Sequence, residues 1–202
     1  NYMDMEIQAG KKGYDLAEKL GIPLVIMEPV RGGALANFSD DINAKFAAMD
    51  PNASVASFAL RFVGSMPNVK VVLSGMSTME QLEDNLATFG NFKPLTDAEC
   101  AGIKDVVNTL RSRVQNGCTG CRYCMPCPAG VDIPANFGAW NNMHIYQSYD
   151  MVSWAWENNI GDKCQAKNCI ECGKCEKVCP QGISIRADLK KVQADMDSKK
   201  FS

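Results

Sequence analysis

The stretch Cys169-Ile170-Glu171-Cys172-Gly173-Lys174-Cys175-Glu176-Lys177-Val178-Cys179-Pro180 decides how the second half of this chain folds. Its cysteines are separated by two, two and three residues and are closed by a proline, which is the spacing of a run that binds a 4Fe–4S cluster. A similar run lies upstream, at Cys118, Cys121, Cys124 and Cys127-Pro128. The two runs hold eight of the ten cysteines, which predicts two 4Fe–4S clusters.

The spacing also predicts which thiolates share a cluster. In paired runs of this kind the fourth cysteine ligates the cluster of the other run. We therefore expect crossed ligation, with Cys118, Cys121, Cys124 and Cys179 on one cluster and Cys169, Cys172, Cys175 and Cys127 on the other. Because Cys127 follows two intervening residues rather than three, its ligation of its own run's cluster stays open.

Two other metal sites compete with this interpretation. The spacing Cys164-x4-Cys169-x2-Cys172 matches a plant-type 2Fe–2S site, but it leaves Cys175 and Cys179 unused. Zinc also uses pairs of Cys-x2-Cys, although such sites rarely need four cysteines in one tight run. The 4Fe–4S interpretation accounts for more of the cysteines and leaves the thiol of Cys164, like that of Cys100, an ordinary one.

Bulk properties narrow the function class further. The formal net charge of -2 argues against general nucleic-acid binding, which needs a basic surface. No stretch approaches the roughly 18 apolar residues of a membrane span, and residues 1–20 are too polar for a signal peptide. Ligation by free thiolates favours a reducing cytoplasm. The chain opens without Met, and we expect it to be a fragment.

Composition changes near Asn116-Gly117, where we expect the domain boundary, giving domains at residues 1–115 and 116–202. The first domain alternates strand and helix signals. Its apolar runs Ile22–Met27 and Val69–Leu73 predict strands buried on both faces of a parallel sheet. Two strands cannot close a core, so this half is expected to be incomplete by itself.

Helix boundaries are predicted by local signals. Lys11–Leu20 has helical spacing and is followed by Gly21, a typical residue just beyond a helix C-terminus. Asp50-Pro51 predicts the start of a helix that runs to about Val63. Two capping-box patterns, Thr78-x-x-Gln81 and Thr96-x-x-Glu99, predict two further helix starts.

Between the cysteine runs, Val131–Glu157 is aromatic and predicted to be mostly helical, packing over the clusters and excluding water. A short extended piece, Gly182–Ile185, and a polar terminal helix with a solvated face, Arg186–Lys199, are expected after the second run. His144 is the only histidine, and with no partner visible in the sequence we expect it to have a structural or surface role.

Three segments carry a resemblance to known families. Cys118–Ile185 resembles a ferredoxin-type domain interrupted by a helical insert. Gly21–Leu35 and Ser74–Asn85 are similar to the seventh strand with its loop, and to the loop and helix after the eighth strand, of the aldo/keto reductases. The resemblance implies an α/β domain, the C-terminal portion of a TIM (β/α)8 barrel, followed by an α+β domain that is mostly helical and ferredoxin-like.

In that family the two loops hold NAD or NADP, which implies a set of nucleotide-binding residues here: Gly32, Gly33, Gly75, Ser77, Gln81, Asp84 and Asn85. Glycines let backbone N–H groups approach a pyrophosphate, and a helix start favours a phosphate. The same residues could also be ordinary turn and helix-surface positions. Met27 replaces the family's stacking aromatic and Gln81 its phosphate-binding arginine, so NAD, NADP and a flavin all stay open.

The family's catalytic Asp, Tyr, Lys and His lie upstream of this chain, so no catalytic residue is assigned. The resemblance implies an oxidoreductase whose clusters relay electrons to or from a nucleotide site. It also implies an electron donor or acceptor protein as partner and a small-molecule substrate for the full-length enzyme. An electron-transfer module without its own catalysis, and a structural or sensing cluster domain, are the alternatives.

Overall fold

The computed structural model, which describes residues 1–7 and 9–202, divides into two units, Asn1–Thr109 and Leu110–Ser202. The elements of the first unit are α1 (Gly10–Lys19), β1 (Leu24–Ile26), α2 (Asp40–Met49), α3 (Val55–Gly64), β2 (Val69–Val72), α4 (Met79–Gly90) and α5 (Asp97–Ser112), whose last residues pass into the second unit. No helix among the described residues is long and apolar enough to cross a membrane.

The elements of the second unit are α6 (Ile133–Tyr146), α7 (Asp150–Trp154), a π-helix (Ala155–Ile160), α8 (Gly161–Cys164), a 3-10 turn (Ala166–Asn168), α9 (Lys174–Lys177) and α10 (Ile185–Asp197). Both cysteine runs lie largely in loops between these elements. Helices therefore frame the cysteines, as the sequence predicts for the insert between the two runs.

The sheet of the first unit consists of β1 and β2, which pair in parallel as predicted, with Leu24 opposite Val69. The expectation that both strands are buried on both faces is wrong. Val25 is 57% exposed and Val71 is 46% exposed. The reason is that α3 packs against β2, whereas no second layer among the described residues covers these two side chains.

The core of the first unit is built by helices rather than by the sheet. Phe46 of α2 and Phe58 of α3 are buried, and their ring centroids lie 5.1 Å apart. Leu35, in the turn after Arg31–Gly33, and Ile42 of α2 are fully buried. Helix α2, which supplies Ile42 and Phe46 to this core, was not predicted from the sequence.

The start of α3 differs from the prediction. Ser54 is the N-cap, and its Oγ accepts a hydrogen bond from the Ser57 N–H. Asp50 instead accepts a hydrogen bond from the Asn52 N–H and forms a separate turn before the helix. Asp and Ser are both strong cap residues, and the closer Ser54 is the one that caps α3.

Other predicted boundaries are confirmed. Thr78 accepts a hydrogen bond from the Gln81 N–H at the start of α4, and Thr96 accepts one from the Glu99 N–H at the start of α5. Gly21 follows α1 with a φ of 67°, the left-handed conformation that glycine adopts without strain.

The core of the second unit packs α6 against α10. The expected solvated character of the terminal helix is wrong in part, because α10 buries one face of apolar residues, namely Ile185, Leu189, Val192 and Met196. These residues recur at helical spacing, with exposed lysines between them. Most insert aromatics are buried as expected, but Trp154 is 67% exposed.

A polar contact also joins α6 to α10. Asp195 Oδ2 lies 2.7 Å from both the Nε1 of Trp140 and the Nε2 of His144. His144 is buried, and Asp195 is a structural partner for it that the sequence did not reveal. Burial opposes ionisation of Asp195, but hydrogen bonds from Trp140, His144 and Lys200 outweigh it and hold the pKa of this carboxyl below its ordinary value.

Candidate metal centres and nucleotide pocket

The cysteines of the two runs line two neighbouring pockets in the second unit. The pocket lined by Cys118, Cys121, Cys124 and Cys179 is called the first cysteine pocket. The second cysteine pocket is lined by Cys124, Cys127, Cys169, Cys172 and Cys175. Each pocket therefore combines thiols from both runs, and Cys124 lies between the two.

The backbone has the same unusual conformation in both runs. On either side of Cys121, Gly120 and Arg122 have φ values of 69° and 64°. On either side of Cys172, Glu171 and Gly173 have φ values of 56° and 71°. Left-handed residues turn the chain sharply, so the central cysteine of each run is held on a tight bend between its neighbours. Arg122 and Glu171 adopt this conformation although they are not glycine, and positive φ values are uncommon for such residues.

The thiols of the first cysteine pocket influence one another. Burial raises the pKa of the Cys124 thiol, and the nearby thiols of Cys118, Cys121 and Cys179 raise it further. Several negative sulfurs in one pocket repel one another unless a metal supplies positive charge, and cysteine binds metals as the thiolate. The pocket is therefore suited to a positively charged group held by several thiolates.

The donor set fits iron–sulfur clusters, which are held by four cysteine thiolates each. Within residues 1–7 and 9–202, no three His, Cys, Asp or Glu side chains form a group that could hold a single metal ion. The free volume is about 20 Å³ in the first cysteine pocket and about 180 Å³ in the second. The fit therefore rests on the kind and number of donors rather than on free volume.

Apolar side chains shield the first cysteine pocket. Ile133, Phe137 and Ile185 line it and are almost fully buried. Its charged lining residue among those described is Arg122, whose Nη2 lies 3.2 Å from the Oδ2 of Asp132. Asp132 in turn caps α6 by accepting a hydrogen bond from the Ala135 N–H. The insert thus covers this pocket, as expected for part of the aromatic segment.

The cysteines outside the runs are placed differently. Cys100 is exposed on α5 of the first unit. Cys164 packs against the core of the second unit, and its carbonyl oxygen accepts hydrogen bonds from the Asp132 N–H and from Asn136 Nδ2. Neither residue lines a cysteine pocket among those described.

The first unit contains a separate pocket of about 530 Å³, which we call the loop pocket. It brings together all the residues that the sequence predicts for nucleotide binding, namely Gly32, Gly33, Gly75, Ser77, Gln81, Asp84 and Asn85. Met27 also lines it and is 74% exposed. The loops after β1 and β2 meet here because the two strands are parallel and adjacent.

Several polar groups of the loop pocket already have partners. The Ser77 N–H, an expected phosphate donor, donates a hydrogen bond to Gln81 Oε1 at 2.7 Å. Asp84 Oδ2 accepts one from Ser54 Oγ at 2.6 Å, and Asn85 Nδ2 donates one to Ser74 Oγ at 3.1 Å. By contrast, no atom lies within 4 Å of where a Cβ of Gly32 or Gly33 would stand, so this backbone is open to a ligand.

Sequence reasoning missed Ser54 and Ser74, whose hydroxyls orient Asp84 and Asn85. Ser54 is the N-cap of α3, so its capping role could be read from the sequence, but its hydrogen bond to Asp84 could not. Ser74 is the second residue after β2, near the strand end where binding loops usually begin.

Two family models match the chain. The model of the aldo/keto reductase family matches residues 1–108, and the model of the 4Fe-4S dicluster domain matches residues 117–183. The first range contains the loop pocket and the second contains the eight cysteines of the two runs. No curated protein and no solved structure matches the chain.

Proposed function

Because the chain belongs to the aldo/keto reductase family and carries a 4Fe-4S dicluster domain at residues 117–183, we propose that two 4Fe–4S clusters relay single electrons to or from its nucleotide site. An iron–sulfur oxidoreductase follows from the two domains themselves. The number of clusters, the nucleotide and the relay are the proposal.

The grouping of the cysteines carries the proposal. Each cysteine pocket has thiols of both runs on its wall, which supports crossed ligation with Cys179 completing the first set and Cys127 the second. Four thiolates per site is the number that a 4Fe–4S cluster takes. Clusters bound in this way supply one-electron chemistry, and the protein's role is to hold the thiolates and exclude water.

The loop pocket supports a nucleotide as the second redox group. Gly32 and Gly33 leave their backbone open to a pyrophosphate, and Asp84 and Asn85 are held in place by serine hydroxyls. A phosphate at Ser77 has to displace the Gln81 side chain from the Ser77 N–H. A nicotinamide cofactor, NAD or NADP, moves two electrons as a hydride, and a pair of one-electron centres can accept or supply them in sequence.

The proposal is tested by anaerobic purification followed by iron and sulfide analysis. We expect about eight irons and eight sulfides per chain, with a broad absorption that bleaches on addition of dithionite. Cys100→Ser is the matched control, because Cys100 lies outside both cysteine pockets and should leave the iron content unchanged. A colourless, zinc-loaded protein would overturn the proposal.

Nucleotide binding is measured on the same preparation by isothermal titration with NAD and with NADP. We expect binding with one site per chain, and its loss in Gly33→Val, because a side chain at a φ of 94° is strained and projects into open space beside the ligand. If the cluster-loaded wild-type chain binds neither nucleotide, the nucleotide part of the proposal is wrong, but the proposal of two clusters is unaffected.

A further inference from the structure

Several apolar side chains that line the second cysteine pocket are exposed to solvent. Tyr123, Ile170 and Val178 all line this pocket, and they are 69%, 65% and 51% exposed. The large apolar side chains of the first cysteine pocket, Ile133, Phe137, Ile183 and Ile185, are buried or partly buried instead. A cluster of exposed apolar side chains around one redox pocket is typical of a surface that another molecule covers.

The charged side chains that line this pocket are both positive. The charged side chains among the described lining residues of the second cysteine pocket are Lys174 and Arg186. Arg186 is paired with Glu176, with a distance of 2.8 Å between Arg186 Nη2 and Glu176 Oε2. Lys174 is exposed and has no ion-pair partner within residues 1–7 and 9–202. An uncompensated cation thus stands beside the apolar side chains.

We propose that Tyr123, Ile170, Lys174 and Val178 form the docking surface for a protein that carries single electrons and whose own docking face is acidic. This inference rests on the proposed function, because it requires a cluster in the second cysteine pocket. An apolar centre with a charged rim is the usual anatomy of a protein interface. Opposite charges on the two rims accelerate the encounter and fix its orientation.

The step at this surface is a single-electron exchange. A cluster held by Cys169, Cys172, Cys175 and Cys127 would take the one electron that a reduced partner gives up. No bond forms or breaks and no proton has to move. The opposite direction applies when the partner arrives oxidised. Lys174 lines the same pocket as these thiolates, and its positive charge attracts the acidic face of the partner during the encounter.

The experiment uses the cluster-loaded chain and a reduced flavodoxin, an acidic protein that carries single electrons, as the probe. Stopped-flow mixing measures the second-order rate constant of electron exchange at low and high salt. We expect Lys174→Glu to lower the rate constant about tenfold at low ionic strength, and the difference to disappear at about 1 M salt. Lys12→Glu makes the same charge change at an exposed lysine of α1 and should alter the rate constant less than about twofold.

A basic carrier provides the converse test. Cytochrome c accepts single electrons and is positively charged, so its rate of reduction by the dithionite-reduced chain should increase in Lys174→Glu. Ile170→Ser keeps the charge and removes apolar contact, and we expect it to slow exchange with flavodoxin at both salt concentrations. Iron content, measured on every variant, must equal that of the wild type for these comparisons.

The outcomes separate the two proposals. A preparation without iron would contradict the proposed function itself. If every variant holds the wild-type amount of iron and is bleached by dithionite, the proposed clusters are supported. Equal flavodoxin rate constants for Lys174→Glu and Lys12→Glu would then overturn the docking surface alone.

Discussion

Cys118 and Cys179 stand at opposite ends of the cysteine-rich segment, and their side chains line the same pocket. Cys127 and Cys169, from different runs, share the other pocket in the same way. The matching backbone around Cys121 and Cys172 makes the two loops near-copies of each other. This arrangement sets up a direct test of which thiolates share a cluster.

Crossed ligation predicts a specific pattern in double variants. Cys118→Ser with Cys179→Ser removes two ligands of one cluster, so we expect about four irons per chain to remain. Cys169→Ser with Cys179→Ser removes one ligand from each cluster, so we expect less iron than in the first pair. Iron analysis after anaerobic purification distinguishes them. The reverse order of iron contents would assign Cys179 to the cluster of its own run.

Replacing Gln81 should change the choice between nucleotides. Gln81→Arg removes the side-chain oxygen that occupies the Ser77 N–H and adds a guanidinium, which favours a phosphate. We expect the affinity for NADP to rise about tenfold relative to NAD, the size of one charge-assisted hydrogen bond. Isothermal titration measures both affinities. Glu80→Gln, an exposed change of the same sign in charge on α4, is the control and should alter the ratio little.

The ion pair between Arg61 and Glu99 should stabilise the first unit. Its side chains are 13% and 12% exposed, and Arg61 Nη1 lies 2.7 Å from Glu99 Oε1. We expect Glu99→Gln to lower the free energy of unfolding by about 1–3 kcal/mol at neutral pH. Circular dichroism in urea measures this loss. Glu83→Gln, at an exposed position of α4, should cost less than about 0.5 kcal/mol.

The effect of Glu99 should depend on pH in a defined direction. Burial opposes its ionisation, but hydrogen bonds from Arg61 and Thr96 outweigh it and hold the pKa of this carboxyl below its ordinary value of 4.5. A lowered pKa means that the stabilisation is fully present above 4.5 and is lost as the pH falls through the value in the folded protein. The wild type and Glu99→Gln should therefore converge in stability at acidic pH. A constant difference over that range would contradict the assignment.

Asp195 should contribute to the stability of the second unit. Asp195→Ala leaves the Trp140 and His144 ring nitrogens without their shared acceptor, so we expect a loss of about 1–3 kcal/mol. The anaerobic melting temperature should fall by a few degrees. Asp197→Ala, an exposed change on the same helix, is the control and should shift it little. An equal shift in both variants would show that the buried contact contributes nothing particular.

Local signals in the sequence predicted much of the fold. The capping residues Thr78 and Thr96 start helices as expected, because a cap acts within one turn and needs no tertiary information. Each of the two sets of thiols expected from the intervals between cysteines lines one pocket, although Cys124 lines both pockets. The loops expected to bind a nucleotide meet in one pocket, since adjacent parallel strands bring their carboxyl ends together.

Features that depend on distant neighbours could not be predicted in this way. The apolar side chain of Val25 suggested burial, but only a covering layer can bury it. Trp154 is exposed for the same reason. The contact of His144 with Asp195 joins residues from separate helices, and no spacing in the sequence marks it. Gln81 has the expected position, yet its hydrogen bond to Ser77 became visible only in three dimensions.

The shared walls of the two cysteine pockets bear on the biosynthesis of the protein. Under crossed ligation the first run cannot complete its set of ligands until Cys179 has left the ribosome. The second run is synthesised after the first, so its fourth ligand under crossed ligation, Cys127, is already part of the nascent chain. Under crossed ligation, loading of the first cluster therefore waits for the synthesis of Cys179, and a chain that stops before Cys179 has no complete site for it.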